Sequence, residues 1–111
     1  VQTRSVIGED EDKQSDMNSL MDGRLKAELY SNIPNPFKEQ TTISFFIPET
    51  AYGASIHIYN LQGKQIKQIN IGERGNGSVI INGYELTPGM YMYTLIVDGK
   101  EIDTKKMILT E

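Results

Sequence analysis

The sequence has no cysteine, a single histidine and no block of basic residues. Without cysteine, neither a disulfide nor a thiolate metal site can support the fold, so a hydrophobic core has to carry its stability. The redox compartment stays open, because many exported proteins also lack cysteine. A formal net charge of −4 argues against nucleic acid as a partner, which calls for a clustered positive surface. The longest nearly apolar run, Met90 to Val97, is far short of the roughly 20 residues that a membrane-spanning helix needs. The chain opens on Val1, not Met, and shows no signal-peptide pattern. It is therefore expected to be a piece of a longer protein.

Groupings that carry chemistry are missing as well. His57 stands between Ile56 and Ile58 with no second histidine for a metal site and no motif that pairs it with a serine. It is expected to face solvent or a sheet edge. The carboxylates are scattered singly through turns, and the glycines never form a phosphate loop ahead of a helix. A calcium loop starting at Asp10 would need glycine where Ser15 stands and glutamate where Met21 stands. Tyr91 and Tyr93 share one strand parity and are expected in the core, not on a sugar-binding platform. The chain is not expected to be an enzyme, nor to hold a metal or cofactor.

What is present falls into two textures. Residues 1–28 carry four basic side chains (Arg4, Lys13, Arg24, Lys26) against seven acidic ones, and few apolar residues up to Asp16. Such a run cannot offset its ordering entropy by burial, which reads as a flexible acidic linker. Within it, Met17, Leu20, Met21 and Leu25 form a helical stripe that Ser15 or Asp16 could cap. With Gly23 inside, so short a helix is marginal by itself. The competing reading is the tail of an oligomerising coiled coil, through which copies of the chain would associate.

From Leu29 onward the pattern is that of strands. Leu29 to Phe37 reads as extended, since Pro34 and Pro36 push their predecessors away from helix, with Ile33 and Phe37 expected to anchor it to a core. Strands are expected over Thr41–Ile47, Ala54–Tyr59, Lys64–Ile71 and Ser78–Asn82. Asn60-Leu61-Gln62-Gly63 forms a hairpin loop between the second and third of these. The parity switch from Ile66 to Ile69 and Ile71 predicts a bulge near Lys67-Gln68. Gly72 to Gly77 reads as a glycine-rich turn, and Leu86-Thr87-Pro88-Gly89 as a type II turn. A closing hairpin follows: Tyr91, Tyr93, Leu95 and Val97 alternate with Met90, Met92, Thr94 and Ile96, and then come an Asp98-Gly99 turn of type I′ and a final strand. Apolar residues on both parities suggest a central strand. The sum is an all-β chain, a small antiparallel sandwich or barrel of six or seven strands over 29–111.

Four stretches in order carry a family resemblance: Leu29-Tyr30-Ser31-Asn32-Ile33-Pro34-Asn35-Pro36-Phe37, Ile58-Tyr59-Asn60-Leu61-Gln62-Gly63-Lys64, Leu86-Thr87-Pro88-Gly89-Met90-Tyr91-Met92-Tyr93 and Thr104-Lys105-Lys106-Met107-Ile108-Leu109. They resemble the motifs of type A C-terminal sorting domains of the type IX secretion system of Bacteroidota, including that family's "YDLxGR", "LPxGxYxY" and terminal "xKKxxL" patterns. Asn60 stands for Asp and Lys64 for Arg, both mild departures. The resemblance implies an immunoglobulin-like signal domain at the end of exported cargo. It implies passage through the periplasm, recognition by the secretion machinery (outer-membrane translocon, shuttle protein and sortase), removal of the domain, and delivery of the cargo to the cell surface. Cleavage would fall within residues 1–28, with Gly23-Arg24 and Asn18-Ser19 as candidate sites. The motif residues Pro34, Asn35, Pro36, Phe37, Gly89, Tyr91, Lys105 and Lys106 are the expected signal. Lys105, Lys106 and the backbone around Gly89-Tyr91 are the surface expected to be read. If the last strand is an edge, it could also pair with a partner strand or a second copy. The competing reading is an immunoglobulin- or fibronectin-like adhesion or carbohydrate-binding module that stays on the mature protein.

Overall fold

The computed structural model describes residues 26–111. The expected stripe Met17–Leu25, the candidate cleavage positions and the acidic run at Asp10 lie outside the described residues. Seven strands run in chain order: β1 (Glu28–Leu29), β2 (Gln40–Ile47), β3 (Ala54–Asn60), β4 (Gln65–Ile71), β5 (Gly75–Asn82), β6 (Gly89–Val97) and β7 (Lys100–Leu109). They form a three-stranded sheet in the order β1-β2-β5 and a four-stranded sheet in the order β4-β3-β6-β7. All strand pairs are antiparallel. This is the all-β sandwich expected from the sequence. The fourth strand lies beside the third, as C′ does in variable-type immunoglobulin domains.

The core sits between the sheets and is built by alternation. Ile43, Phe45 and Ile47 of β2, Ile56 and Ile58 of β3, Tyr93 and Leu95 of β6 and Met107 of β7 are almost fully buried. Their neighbours on the opposite parity, such as Ser44, His57, Met92 and Ile108, face outward and keep some exposure. Each fully buried aliphatic or aromatic side chain contributes about 1.5–3 kcal/mol, so the period-two pattern sets which face of each strand turns inward. β6 lies between β3 and β7, the central place its two apolar parities suggest.

The turns follow their residues, with corrections. Asp98 (φ 52°) and Gly99 (φ 81°) both have the positive φ of a type I′ turn. Asn60 closes the β3–β4 loop by accepting the amides of Gln62 and Lys64 on its side-chain oxygen, each at 3.0 Å. The bulge falls one residue earlier than expected: Lys67 pairs with Ile58 and Gln65 with Tyr59, leaving Ile66 as the extra residue. The expected glycine-rich turn is partly strand. Gly75 and Gly77 pair with Ile47 and Phe45, and a Cβ on Gly77 would stand 2.8 Å from the Phe45 ring, so that position has to be glycine. The bare backbone lets that ring lie against β5. The expected type II turn is also corrected. Gly89, at φ 152°, already opens β6 opposite Leu109, and a 3-10 turn over Gly83–Glu85 makes the reversal instead.

Candidate functional site

Antiparallel order places the start of β2, the end of β3, the end of β5, the start of β6 and the end of β7 at one pole of the sandwich. The four motif stretches, scattered over about 80 positions in sequence, therefore meet there.

The segment ahead of β2 crosses from one sheet to the other. Ile33 pairs with Thr42 of β2, and Phe37 forms a parallel bridge with Leu109 of β7. Pro34 and Pro36 have no N–H to give, so Asn35 bonds through its side chain. Its amide donates to the Lys106 carbonyl at 3.2 Å, and its oxygen accepts the Ile108 amide at 3.0 Å. The Phe37 amide then donates to the Ile108 carbonyl at 2.9 Å, and the Thr110 amide to the Phe37 carbonyl at 2.8 Å. In effect Asn35 and Phe37 act as a short extra strand on the free edge of β7. That half of the edge is thus occupied from within the chain.

The anchoring of this segment differs from the sequence expectation. Phe37 is buried as expected, but Ile33 is 74% exposed. Its place is taken by Asn32, which is 2% exposed. The Asn32 amide donates to the Tyr93 hydroxyl at 2.8 Å, and that hydroxyl donates to the Tyr30 carbonyl at 3.0 Å. The Asn32 side chain reaches the Thr41 hydroxyl at 3.0 Å, and Thr41 donates to the Pro34 carbonyl at 2.7 Å. A buried polar group is tolerable only when it is paired, and this cluster pairs its members reciprocally. Burial pushes the Tyr93 hydroxyl above its ordinary pKa; the Asn32 hydrogen bond opposes that shift and the charge of Asp103 adds to it.

Gly89 and Tyr91 sit two residues apart at the start of β6. Tyr91 is buried, and its hydroxyl donates to the Thr87 carbonyl beside the Thr87 hydroxyl. A tyrosine bonding back to the chain four residues earlier at this corner matches the tyrosine corner of immunoglobulin sandwiches. Between the Asn60–Gln62 loop and the Leu86–Met90 segment lies an open cleft of about 480 Å³. Leu61, Ile66, Leu86 and Pro88 give it apolar walls. Glu85 on its rim is held below the usual carboxylate range, first by the hydrogen bond from Lys67 and then by its charge. The two side chains meet at 3.0 Å.

The two lysines of β7 point to opposite faces. Lys105 stands opposite Tyr93 on the core side, half-buried at the margin, with its amine 3.5 Å from the Asp103 carboxylate. Lys106 stands opposite Met92 on the outer side and is exposed. Of the expected signal residues, Pro34, Asn35, Pro36, Gly89 and Lys106 are exposed. Phe37 and Tyr91 are buried, so any partner meets the surface they shape and not their rings. Asn32, Thr41 and Tyr93 form a unit that sequence reasoning missed, since no local pattern distinguishes a buried asparagine from a loop asparagine. His57 faces outward beside Ser55 and Tyr59. Among the described residues, no group of three or more His, Asp or Glu side chains could hold a metal ion.

The sequence model of the family described as "Secretion system C-terminal sorting domain" matches residues 31–110. A search of curated proteins gave no match. Among solved structures, the BSP domain of a biofilm associated protein is similar with a TM-score of 0.54 at 13% identity, over 75% of this chain and 15% of that one. A Pseudomonas fluorescens alkylpurine DNA glycosylase, AlkC, aligns with a TM-score of 0.43 at 14% identity, over 77% of this chain and 30% of that one. The chain thus spans a minor part of both proteins, and the first likeness bears on the fold alone.

Proposed function

The chain belongs to the type IX secretion C-terminal sorting domains, and from that premise we infer that its motif pole is the surface by which the secretion machinery selects the cargo it ends. The observation that carries this reading is the meeting of four separated motif stretches at one pole. The exposed groups there are Pro34, Asn35, Pro36, the backbone at Gly89 and Lys106, with the half-buried Lys105 at the margin beside Asp103. Lys106 offers a positive charge on a long stem, and Lys105 a second on the other face of the same strand. Phe37 and Tyr91 hold the presenting backbone in place. The sortase cuts within residues 1–28 and so removes the domain of residues 29–111, and the cargo passes from the periplasm to the cell surface.

A fluorescent reporter fused ahead of residues 1–111 in a type IX-competent bacterium tests the reading. The fusion is expected at the cell surface or in the medium, and the folded Lys105→Ala/Lys106→Ala double variant is expected to stay inside. Normal export of that folded variant would remove the lysines from the signal. Mass spectrometry of the mature surface protein separates this reading from a retained adhesion module: loss of residues 29–111 supports sorting, and their retention supports the module.

A further inference from the structure

A sheet edge is a ready template for another strand, and proteins guard their edges with charge, proline, bulges or short length. Three of the four edges here are guarded. β1 is two residues long. β4 carries Lys67 and the Ile66 bulge. β7 carries Lys100, Glu101, Asp103, Lys105 and Lys106, and its register shift leaves Ile102 as an extra residue. The Thr104 amide of β7 is taken by the Asp103 carboxylate at 2.8 Å, and the following stretch is covered by Asn35 and Phe37.

β5 has none of these devices. Its eight residues, Gly75-Asn76-Gly77-Ser78-Val79-Ile80-Ile81-Asn82, include no charge and no proline, and they pair with β2 in unbroken register. No described strand lies on its other edge. Asn76, Ser78, Ile80 and Asn82 point away from the core, and Ile80 is 55% exposed. We propose that β5 is an interface with a second copy of this chain, formed by antiparallel pairing of β5 with its twofold mate. The pairing joins the two three-stranded sheets into one sheet in the order β1-β2-β5-β5-β2-β1. The charge pattern selects a second copy as the occupant. In an antiparallel twofold pair only the positions near the axis face themselves or a near neighbour, so a charge near the middle of an edge strand is set close to its own copy and repels it. Among the four edge strands of the described residues, only β5 is free of charge: β1 carries Glu28, β4 carries Lys67, and β7 is densely charged. An eight-residue strand pair is a small interface, below about 1,200 Å² in total, so the association is weak and reversible.

Sedimentation velocity on the full 111-residue chain, from roughly 10 µM to roughly 1 mM, reads the equilibrium directly. The natural sequence is expected to shift from monomer toward dimer. Ile80→Lys, at an exposed position beside the middle of β5, is expected to weaken association at least about tenfold by bringing two like charges close together near the twofold. Ile102→Lys on β7, the same chemical change on a guarded edge, is expected to leave it unchanged. Backbone amide exchange on the natural chain gives a reading free of mutation: protection is expected to rise with concentration over Gly75–Asn82 and not over β4 or β7. A chain that stays monomeric throughout overturns the proposal. So does an Ile80→Lys variant that dimerises as tightly, or new protection that appears elsewhere.

Discussion

The two poles of the sandwich are tied together by different means. At the pole away from the motifs, charged side chains clamp loop backbone. The Asp98 carboxylate accepts the amides of Tyr52 and Gly53 at 2.7 and 3.0 Å. The Arg74 guanidinium donates to the carbonyls of Ala51 and Tyr52, each at 3.1 Å. At the motif pole the bonds that hold backbone are uncharged: Asn35 to β7, Asn32 to Tyr93, and Tyr91 to Thr87, with the Lys67–Glu85 ion pair on the rim. Exposed clamps of the first kind can be lost at modest cost. Of the second kind, Asn32, Tyr93 and Tyr91 are buried and tie the surface backbone to the core, while Asn35 stays exposed. A domain read by an outside partner gains from having its signal anchored to the core.

The harshest way to break that contrast is to empty the anchor of the motif pole. Phe37→Ala removes a buried ring and is expected to cost about 3–5 kcal/mol, comparable to the whole stability of a small domain. Denaturant unfolding measures the loss, and amide exchange at Ile108 and Thr110 should become fast at the same time.

A milder cut is Tyr93→Phe. It keeps the ring but strands the buried Asn32 amide, at an expected cost of about 1–3 kcal/mol. The hydroxyl also gives the domain a pH dependence. Its native pKa is raised and an unfolded tyrosine ionises near pH 10, so its stabilisation is whole below about pH 10 and is lost as pH rises through the raised native value. Thermal melts from pH 8 upward should show the natural chain losing this increment while Tyr93→Phe stays flatter.

The finest comparison sets Asn35→Ala against Asp98→Ala. Each removes two exposed hydrogen bonds and is expected to cost about 1 kcal/mol. Their consequences should part: Asn35→Ala speeds exchange at Ile108 and lowers export of the fused reporter, while Asp98→Ala leaves both unchanged. Equal export by the two variants would mean that the poles are not read differently.

Much of this protein was legible in its residues because the relevant forces are local. Alternation placed Ile43, Phe45, Ile56, Ile58, Tyr93 and Leu95 inside, and Asp98-Gly99 announced a turn that needs two positive φ angles. The misreadings arose where a distant partner overruled a local preference. Gly75 to Gly77 read as a turn, but pairing with the end of β2 draws them into a strand, with bare backbone at Gly77 under the Phe45 ring. Ile33 read as an anchor until backbone pairing with Thr42 turned its side chain to water. The site was half visible: its motif residues could be picked out in order, but the bonds that join them span 61 to 73 positions.

The sequence by itself therefore determined the strands, their buried faces, the closing hairpin and the family, since each rests on patterns within a few residues. Only the tertiary structure decided that an asparagine between two prolines would complete the edge of the last strand, that Asn32 and not Ile33 would enter the core, and that β5 would be left bare. Those outcomes depend on which surfaces meet when two sheets close, and no local pattern encodes them.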